Sequence, residues 1–380
     1  MQISDSGISK KQDRGSAKRT FSFRRNTCVL LKSLCLLACL FLLNGVLSFL
    51  MEPYLGPSEE MWRSYRSCEE LDTVFVGTSQ CLQGINPATL DRVCGSSSCN
   101  MATKMQSLAN SRDAIAAAIR DHHIQNAVLV IDHEILDLDR SDNFRADQSY
   151  WHAKAITEPS VSARLLDDLT FMTSPDFFGK PASLTYLTPW VYNRSSNLSR
   201  NLKEKISGTI LDAEGHRTAQ GFLPSSEELN PDFEFITWEE AKEWDKTAVS
   251  LKDLYISEEN KEELAGIRDL CAANQVSLTV IVVPYPNWLS IYPLENYLET
   301  DAEIASLFAE AGFEFYDFNL ILPEYFDASG NENYSDVGHM NEKGAERFSA
   351  FFGEFLKARS SGEDVQAWFR TSPVSSDASE

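Results

Sequence analysis

Short unbroken apolar runs alternate with longer amphipathic stretches over much of this chain. The runs at 72–76, 127–131, 278–283 and 313–318, with a weaker one near 96–101, predict buried strands. A parallel strand covered on both faces needs no polar alternation. Helical patterns lie between them. Residues 106–122 carry Ala114, Ala116, Ala117 and Ala118, a second helix opens at Ser257 and runs to Asn274, and a third covers 301–311. A last helix, capped by Asn341, lines up Phe348, Phe351, Phe352 and Phe355 on one side. Ser257 offers a hydroxyl to its first turn, where Glu258 and Glu259 suit the helix dipole. Strands separated by such helices predict an α/β fold built on a doubly wound parallel sheet.

Two stretches break the alternation. Residues 140–255 hold Trp151, Trp190, Trp238 and Trp244, several prolines, and polar runs such as Asn193-Arg-Ser-Ser-Asn-Leu-Ser199. They predict a long insertion of mixed helix and loop lying over the site, since a structureless loop of that length is rare in a compact domain. The second break is N-terminal. From Ser33 to Met51 there are 19 residues without a charge, rich in Leu, Phe, Val and Ala. As a helix rising about 1.5 Å per residue it is roughly 28 Å long, near the hydrocarbon thickness of a bilayer. The alternative is a cleaved signal peptide. The run exceeds the usual apolar region of such peptides, and no clear small-x-small cleavage site follows Leu47. An uncleaved anchor is the preferred reading.

Charge orients that anchor. Of 34 basic and 56 acidic residues, eight basic and two acidic lie in 1–32, so the remainder holds 26 basic against 54 acidic, a balance of −28. The basic flank places the N-terminus in the cytoplasm and the rest outside. An external domain this acidic is a poor partner for nucleic acid or other polyanions. The implied organisation is a basic cytoplasmic tail (1–32), a transmembrane signal-anchor (33–51), a short polar stalk or helix (52–70), an α/β domain (71–358) interrupted by the 140–255 insertion, and a polar disordered tail (359–380). With 43% hydrophobic and 11% aromatic residues, the chain supports one substantial core.

Cysteine usage adds little. Cys28, Cys35 and Cys39 lie at or in the membrane segment, leaving Cys68, Cys81, Cys94, Cys99 and Cys271 outside, an odd number for an oxidising space. Cys94 and Cys99 enclose four residues and could bridge, while Cys271 reads as a free core thiol. No spacing fits a metal pattern, and no cofactor is implied.

Chemistry enters at the end of the first strand. Val74-Phe-Val76 runs into Gly77-Thr78-Ser79 and then a helix, which puts Ser79 at the carboxyl end of a parallel strand, where α/β sheets hold their active sites. A serine hydroxyl needs a base beside it to become a nucleophile. Asp336-Val-Gly-His339 supplies one: it follows the last strand, sits in a glycine-containing turn, and spaces a carboxylate to reach Nδ1–H of the imidazole while Nε2 faces the serine. Each fragment has a plainer reading. Ser79 alone is more often a helix N-cap, and an Asp-x-x-His pair arises readily by chance.

Together, Gly77-Thr-Ser79 with Gln83-Gly-Ile-Asn-Pro87, and Asp336-x-x-His339 followed by Asn341 and Gly344, resemble the SGNH (GDSL-like) hydrolase superfamily. The similarity is closest to its membrane-anchored DltD-like branch, which works beside membrane-bound O-acyltransferases on envelope polymers. It covers roughly 70–135 and 275–355 and is faint in the insertion, where Gly221-Phe-Leu-Pro224 resembles a family segment. The resemblance implies an SGNH/flavodoxin-like sandwich, with Ser79 as nucleophile, His339 as base and Asp336 as its orienter. It also exposes departures. Thr78 stands where the first block usually has Asp. Ala102, in Asn100-Met-Ala-Thr103, stands where the second block has Gly. The third-block Asn is missing, the strand after Val130 ending in Ile131-Asp132-His133-Glu134. Asn100, Ala102, Asp132 and His133 are therefore the oxyanion or site-lining candidates. His133 has a packing role as its alternative, and His122, His123, His152 and His216 read as surface or packing residues. A missing oxyanion donor typically costs about 10²–10³ in rate.

The resulting expectation is a single-pass, cytoplasm-in protein whose external domain performs serine-dependent ester hydrolysis or O-acyl transfer on an envelope glycan or teichoic-type polymer, with a membrane-bound O-acyltransferase as partner. The competing expectations are a catalytically inert polymer-binding or scaffold protein, and a secreted esterase freed by cleavage near Leu47.

Overall fold

Five short strands pair side by side in one all-parallel sheet: β1 (Thr73–Gly77), β2 (Ser98–Asn100), β3 (Asn126–Val130), β4 (Ser277–Val282) and β5 (Glu314–Asp317). The computed structural model describes residues 14–137, 188–191, 193–211, 215–237, 256–286 and 294–370, with a few more between 152 and 173 and at 239–240. The strand order is β2-β1-β3-β4-β5, in register at Val74↔Ala127, Val128↔Thr279 and Val280↔Phe315. Progress across the sheet reverses at β1, because the chain moves from β1 out to β2 and then crosses back to β3. Residues that leave the carboxyl end of β1 thus enter a crevice of the kind where open parallel sheets bind ligands.

Side-chain alternation along the strands feeds two apolar clusters. Val74, Val76, Ala127, Leu129, Val280 and Val282 join one; Phe75, Val128, Val130, Ile281 and Val283 join the other. Helices complete both. To the first, α5 (Leu108–His122), α8 (Glu258–Ala273) and α9 (Leu294–Glu310) bring Ile115, Ile267 and Phe308. To the second, α3 (Ser79–Gly84), α4 (Pro87–Cys94) and α10 (Glu342–Ser360) bring Leu82, Leu90 and Phe348. The phenylalanines of α10 surround Phe318, with ring centroids 5.2, 5.6 and 5.1 Å away for Phe348, Phe352 and Phe355. Caps start the helices as their sequences require. Ser257 Oγ accepts the Asn260 N–H and Asn341 Oδ1 accepts the Gly344 N–H.

The expected elements appear, with three boundary corrections and one to the cysteines. α9 opens at Leu294, seven residues before the expected 301, because Tyr297 and Leu298 already bury on the core. The segment expected as a polar stalk or helix at 52–70 contains α2 (Pro57–Ser67), whose Met61, Trp62 and Tyr65 belong to the core and make it part of the domain. The tail expected at 359–380 is ordered as far as Arg370: Val365 and Trp368 are buried, Ile321 bridges Phe369, and residues 371–380 lie outside the described set. The Cys94–Cys99 bridge is not formed. Cys94 Sγ–H donates to the Gly353 carbonyl, while buried Cys99 contacts Cys68.

The chain divides into two units, Met1–Tyr54 with Leu187–Thr209, and Leu55–Tyr186 with Ile210–Glu380. In the first, α1 (Arg14–Met51) contains one stretch, Thr27–Met51, apolar and long enough to cross a membrane, with a mean hydropathy of 2.5. Its last turn has no basic residue of its own. α7 (Leu198–Ser207), from the insertion, meets that end: the Asn201 amide donates to the Leu50 and Glu52 carbonyls, and the Lys205 ammonium to those of Phe49 and Glu52. A cation on orphaned C-terminal carbonyls also suits the helix dipole. Much of 140–255 lies outside the described residues. Its described part at 218–230 belongs to the second unit and packs Phe222 and Leu229 into the core.

Candidate active site

β1 must end abruptly to place a side chain above the sheet, and Gly77 makes that possible. It has φ of +144°, and a Cβ there would sit 2.1 Å from the Val130 carbonyl oxygen, so only glycine brings β1 this close to β3. Thr78 is the N-cap of α3, and Ser79 is its first helical residue. The plainer reading of Ser79 as a cap therefore falls away. Its hydroxyl instead lies 2.8 Å from His339 Nε2, across 260 residues of sequence. On the far side of the ring, Nδ1–H donates to Asp336 Oδ1 and Oδ2 at 2.9 and 3.0 Å. Ser79, His339 and Asp336 thus form a continuous chain of hydrogen bonds in the polarity that moves a proton from serine to imidazole.

The base is held by its loop. Ser335 N–H donates to the His339 carbonyl at 2.9 Å, and Tyr334 pairs with Met340 in an isolated antiparallel bridge. Gly338 N–H donates to Asp336 Oδ1 at 2.7 Å, fixing the carboxylate under the ring. Gln80, next to the serine, donates its amide to the Gly338 carbonyl at 3.2 Å and ties the nucleophile helix to the base loop. Below the loop, Asn341 Nδ2 reaches the Glu332 and Tyr334 carbonyls, and Gly344 lets α10 press on Asn333, where a Cβ would meet the carbonyl oxygen at 1.9 Å. The His339 side chain is 28% exposed and that of Asp336 55%, so the triad opens to solvent.

The four lining candidates have other attachments. Asn100 is fully buried behind α3, donating to the Cys81 and Ile85 carbonyls at 2.7 and 2.9 Å. Its Oδ1 accepts the Ala102 N–H at 3.1 Å, so the N–H expected to serve an oxyanion is engaged within the protein. Asp132 accepts the Thr78 hydroxyl at 2.9 Å and the Ile135 N–H at 2.8 Å, bracing the ends of β1 and β3 together. What the turn offers an oxyanion is the start of α3. Its first intrahelical bond is Leu82 N–H to the Thr78 carbonyl, which leaves the Ser79 and Gln80 N–H groups without a helix acceptor. The bracing roles of Gln80, Gly338 and Asn100 escape sequence reasoning, although Gln80 adjoins the nucleophile.

His133 goes elsewhere. Its ring packs on Tyr297 at 5.0 Å between centroids, and a ring nitrogen lies within 4.8 Å of carboxylate oxygens of Asp301 and Asp317. Burial holds its imidazole below the usual range, against the opposing pull of Asp317 and Asp132, which keeps it neutral. Burial, then the Asp317 charge, pushes the Asp301 carboxyl well above the usual carboxylate range.

Compared with known proteins, the chain matches no family model and no curated protein.

Proposed function

We propose that this chain is a membrane-anchored serine esterase or O-acyltransferase of SGNH-like, doubly wound architecture, acting outside the cytoplasm on esters of an envelope polymer. The observation that carries the reading is the Ser79–His339–Asp336 chain, with Ser79 Oγ 2.8 Å from the base and placed at the strand-order reversal. In the proposed cycle, His339 Nε2 takes the Ser79 proton as Oγ attacks an ester carbonyl. Asp336 stabilises the imidazolium, and the Ser79 N–H faces the developing oxyanion. His339 then returns the proton to the departing alkoxide, leaving acyl-Ser79, and an acceptor hydroxyl or water repeats the sequence in reverse. The exposure of His339 and Asp336 suits an ester carried on a bulky polymer. The Thr27–Met51 stretch, with basic residues on its N-terminal flank, supports action at the outer membrane surface beside a membrane-bound acyl donor, for which a membrane O-acyltransferase is the natural partner.

A second reading has its own support. Ala102 N–H is engaged by Asn100, and Asp132 stands where the resemblance calls for an amide donor, so the oxyanion set is thin. A protein that binds the polymer or scaffolds the acyltransferase without chemistry fits that thinness.

A serine-directed fluorophosphonate probe on the full chain in detergent separates the two. Catalysis expects labelling of the wild type, its loss in Ser79→Ala, and a stability change of only about 0.5–1.5 kcal/mol from one lost hydrogen bond. An unlabelled wild type, with Ser79→Ala fully complementing a deletion, would leave the scaffold reading in possession.

A further inference from the structure

The cluster around His133 is not explained by the ester chemistry. Asp317 ends β5, Asp301 lies on α9, and His133 opens the short helix α6 (His133–Asp137) that follows β3. All three are buried, at 4, 9 and 3% exposure. Among the described residues, no Lys or Arg pairs with either carboxylate. Two ionised carboxylates buried this close repel each other, so the Asp301–Asp317 pair holds either a shared proton or a cation between its oxygens. His133 Nε2 and Asp301 Oδ1 are each buried without a hydrogen-bond partner, although polar atoms so placed are rarely left unsatisfied.

We propose that His133, Asp301 and Asp317 form a binding site for a divalent first-row transition cation, with zinc as its best representative. One neutral imidazole and two carboxylates are a mixed nitrogen and oxygen donor set. Zinc accepts it readily, whereas magnesium and calcium favour oxygen alone. Ligand atoms sharing a zinc ion at about 2.0–2.2 Å lie no more than about 4.4 Å apart. The three here lie within 4.8 Å of one another, a spread that small side-chain rotations close. The surroundings resemble the outer shell of a metal site. The Tyr297 hydroxyl donates to Asp317 Oδ2, and the Asn319 side-chain and backbone N–H groups donate to Asp317 Oδ1 at 2.9 and 2.8 Å. Such contacts orient a ligating carboxylate. On the His133 side lies a cavity of about 180 Å³, lined also by Thr300, Glu303, Ile304 and Lys261, so the imidazole is the ligand nearest to open space. The ion would join the carboxyl ends of β3 and β5 to α9, three elements that otherwise meet there through an acidic pair.

The test uses the full chain in detergent, stripped with a chelator and titrated with zinc, the bound metal being counted after dialysis. One tightly held zinc per chain and a raised unfolding temperature are expected. Asp301→Asn and His133→Gln should each weaken binding by more than the 10–100-fold that an outer-shell change costs, and Tyr297→Phe by about that amount. Asp336→Asn should leave zinc binding unaltered, which separates this site from the triad. Should the first two variants fail to fold, X-ray absorption at the zinc edge of the wild type decides. One imidazole nitrogen with oxygen ligands supports the site, and a sulfur or multi-histidine shell overturns it. No retained zinc, or equal retention by all four variants, also overturns it, leaving a proton-sharing carboxyl pair. None of these readouts involves acyl transfer, so the outcome is independent of the proposed ester chemistry.

Discussion

His339 meets both oxygens of Asp336, and the same carboxylate takes the Gly338 N–H, so one side chain sets both the tautomer and the loop around the base. Asp336→Asn keeps the shape and removes the charge. Its amide can still hold the loop, yet it no longer stabilises the imidazolium. Loss of the equivalent charge in a buried triad costs about 10⁴ in kcat. Here the carboxylate is more than half exposed and water recovers part of that, so a fall of roughly 10²–10⁴ in ester turnover or probe-labelling rate is expected, with the unfolding midpoint little changed. Turnover at the wild-type rate would remove Asp336 from the mechanism. Asp132 could not simply replace it, since its oxygens are engaged by Thr78 and Ile135. The three proposed triad residues were legible because each lies in a short local motif beside a strand end. Asn100, Gln80 and His133 were not legible in the same way. Asn100 is fixed by the Cys81 and Ile85 carbonyls, Gln80 by a residue 258 positions away, and His133 by Asp301 and Asp317 from other elements. No short motif around any of the three contains its partners.

At the scale of elements, strands and capped helices were read to within a few residues because buried parallel strands and Ser or Asn caps leave strong local signals. α2 was read as a short polar stalk or helix leading to the domain, and its buried face was missed. Its Met61, Trp62 and Tyr65 fall on one helical face, but Glu59, Glu60, Arg63 and Arg66 between them give the segment a polar average. Placing α2 in the core changes the cysteine pairing. Cys68 closes α2, Cys99 lies in β2, and the two thiols are close enough to shift each other's ionisation, Cys68 downward and Cys99 upward. In an oxidising compartment a disulfide donor should accept two electrons and two protons from this pair and leave a Cys68–Cys99 bond. Intact mass of the exported protein under non-reducing conditions should show two hydrogens fewer. Peptide mapping should find these two cysteines joined while Cys81 and Cys271 remain thiols. Full alkylation of Cys68 and Cys99 without a reductant would count against the bridge, and against an oxidising location for this domain.

At the scale of the molecule, location decides whether the proposed chemistry has a substrate. Among the described residues one helix is apolar enough to cross a bilayer, Thr27–Met51, and its N-terminal flank holds Lys10, Lys11, Arg14, Lys18, Arg19, Arg24 and Arg25. Lys and Arg near a span stay preferentially on the cytoplasmic side, and it is their bias, not net charge, that sets orientation. Lys205 holds the Phe49 and Glu52 carbonyls at the C-terminal end of that helix, a position where a cation suits a membrane interface, while Trp190 Nε1–H donates to Asn44 at 2.7 Å further along it. Protease added to intact cells or spheroplasts should therefore degrade the region from residue 55 onward and spare the basic N-terminal segment. Replacing those seven basic residues with neutral ones should weaken or invert the orientation, so that a growing share of chains carries a protected C-terminal region. The two results constrain each other. Degradation in the wild type with protection in the neutralised variant identifies the basic flank as the determinant. Degradation in both would assign orientation to some other feature and leave the external location standing. Protection in the wild type would put Ser79 in the cytoplasm, away from any envelope polymer. The Ser79–His339–Asp336 arrangement would then have to be matched to an intracellular ester instead.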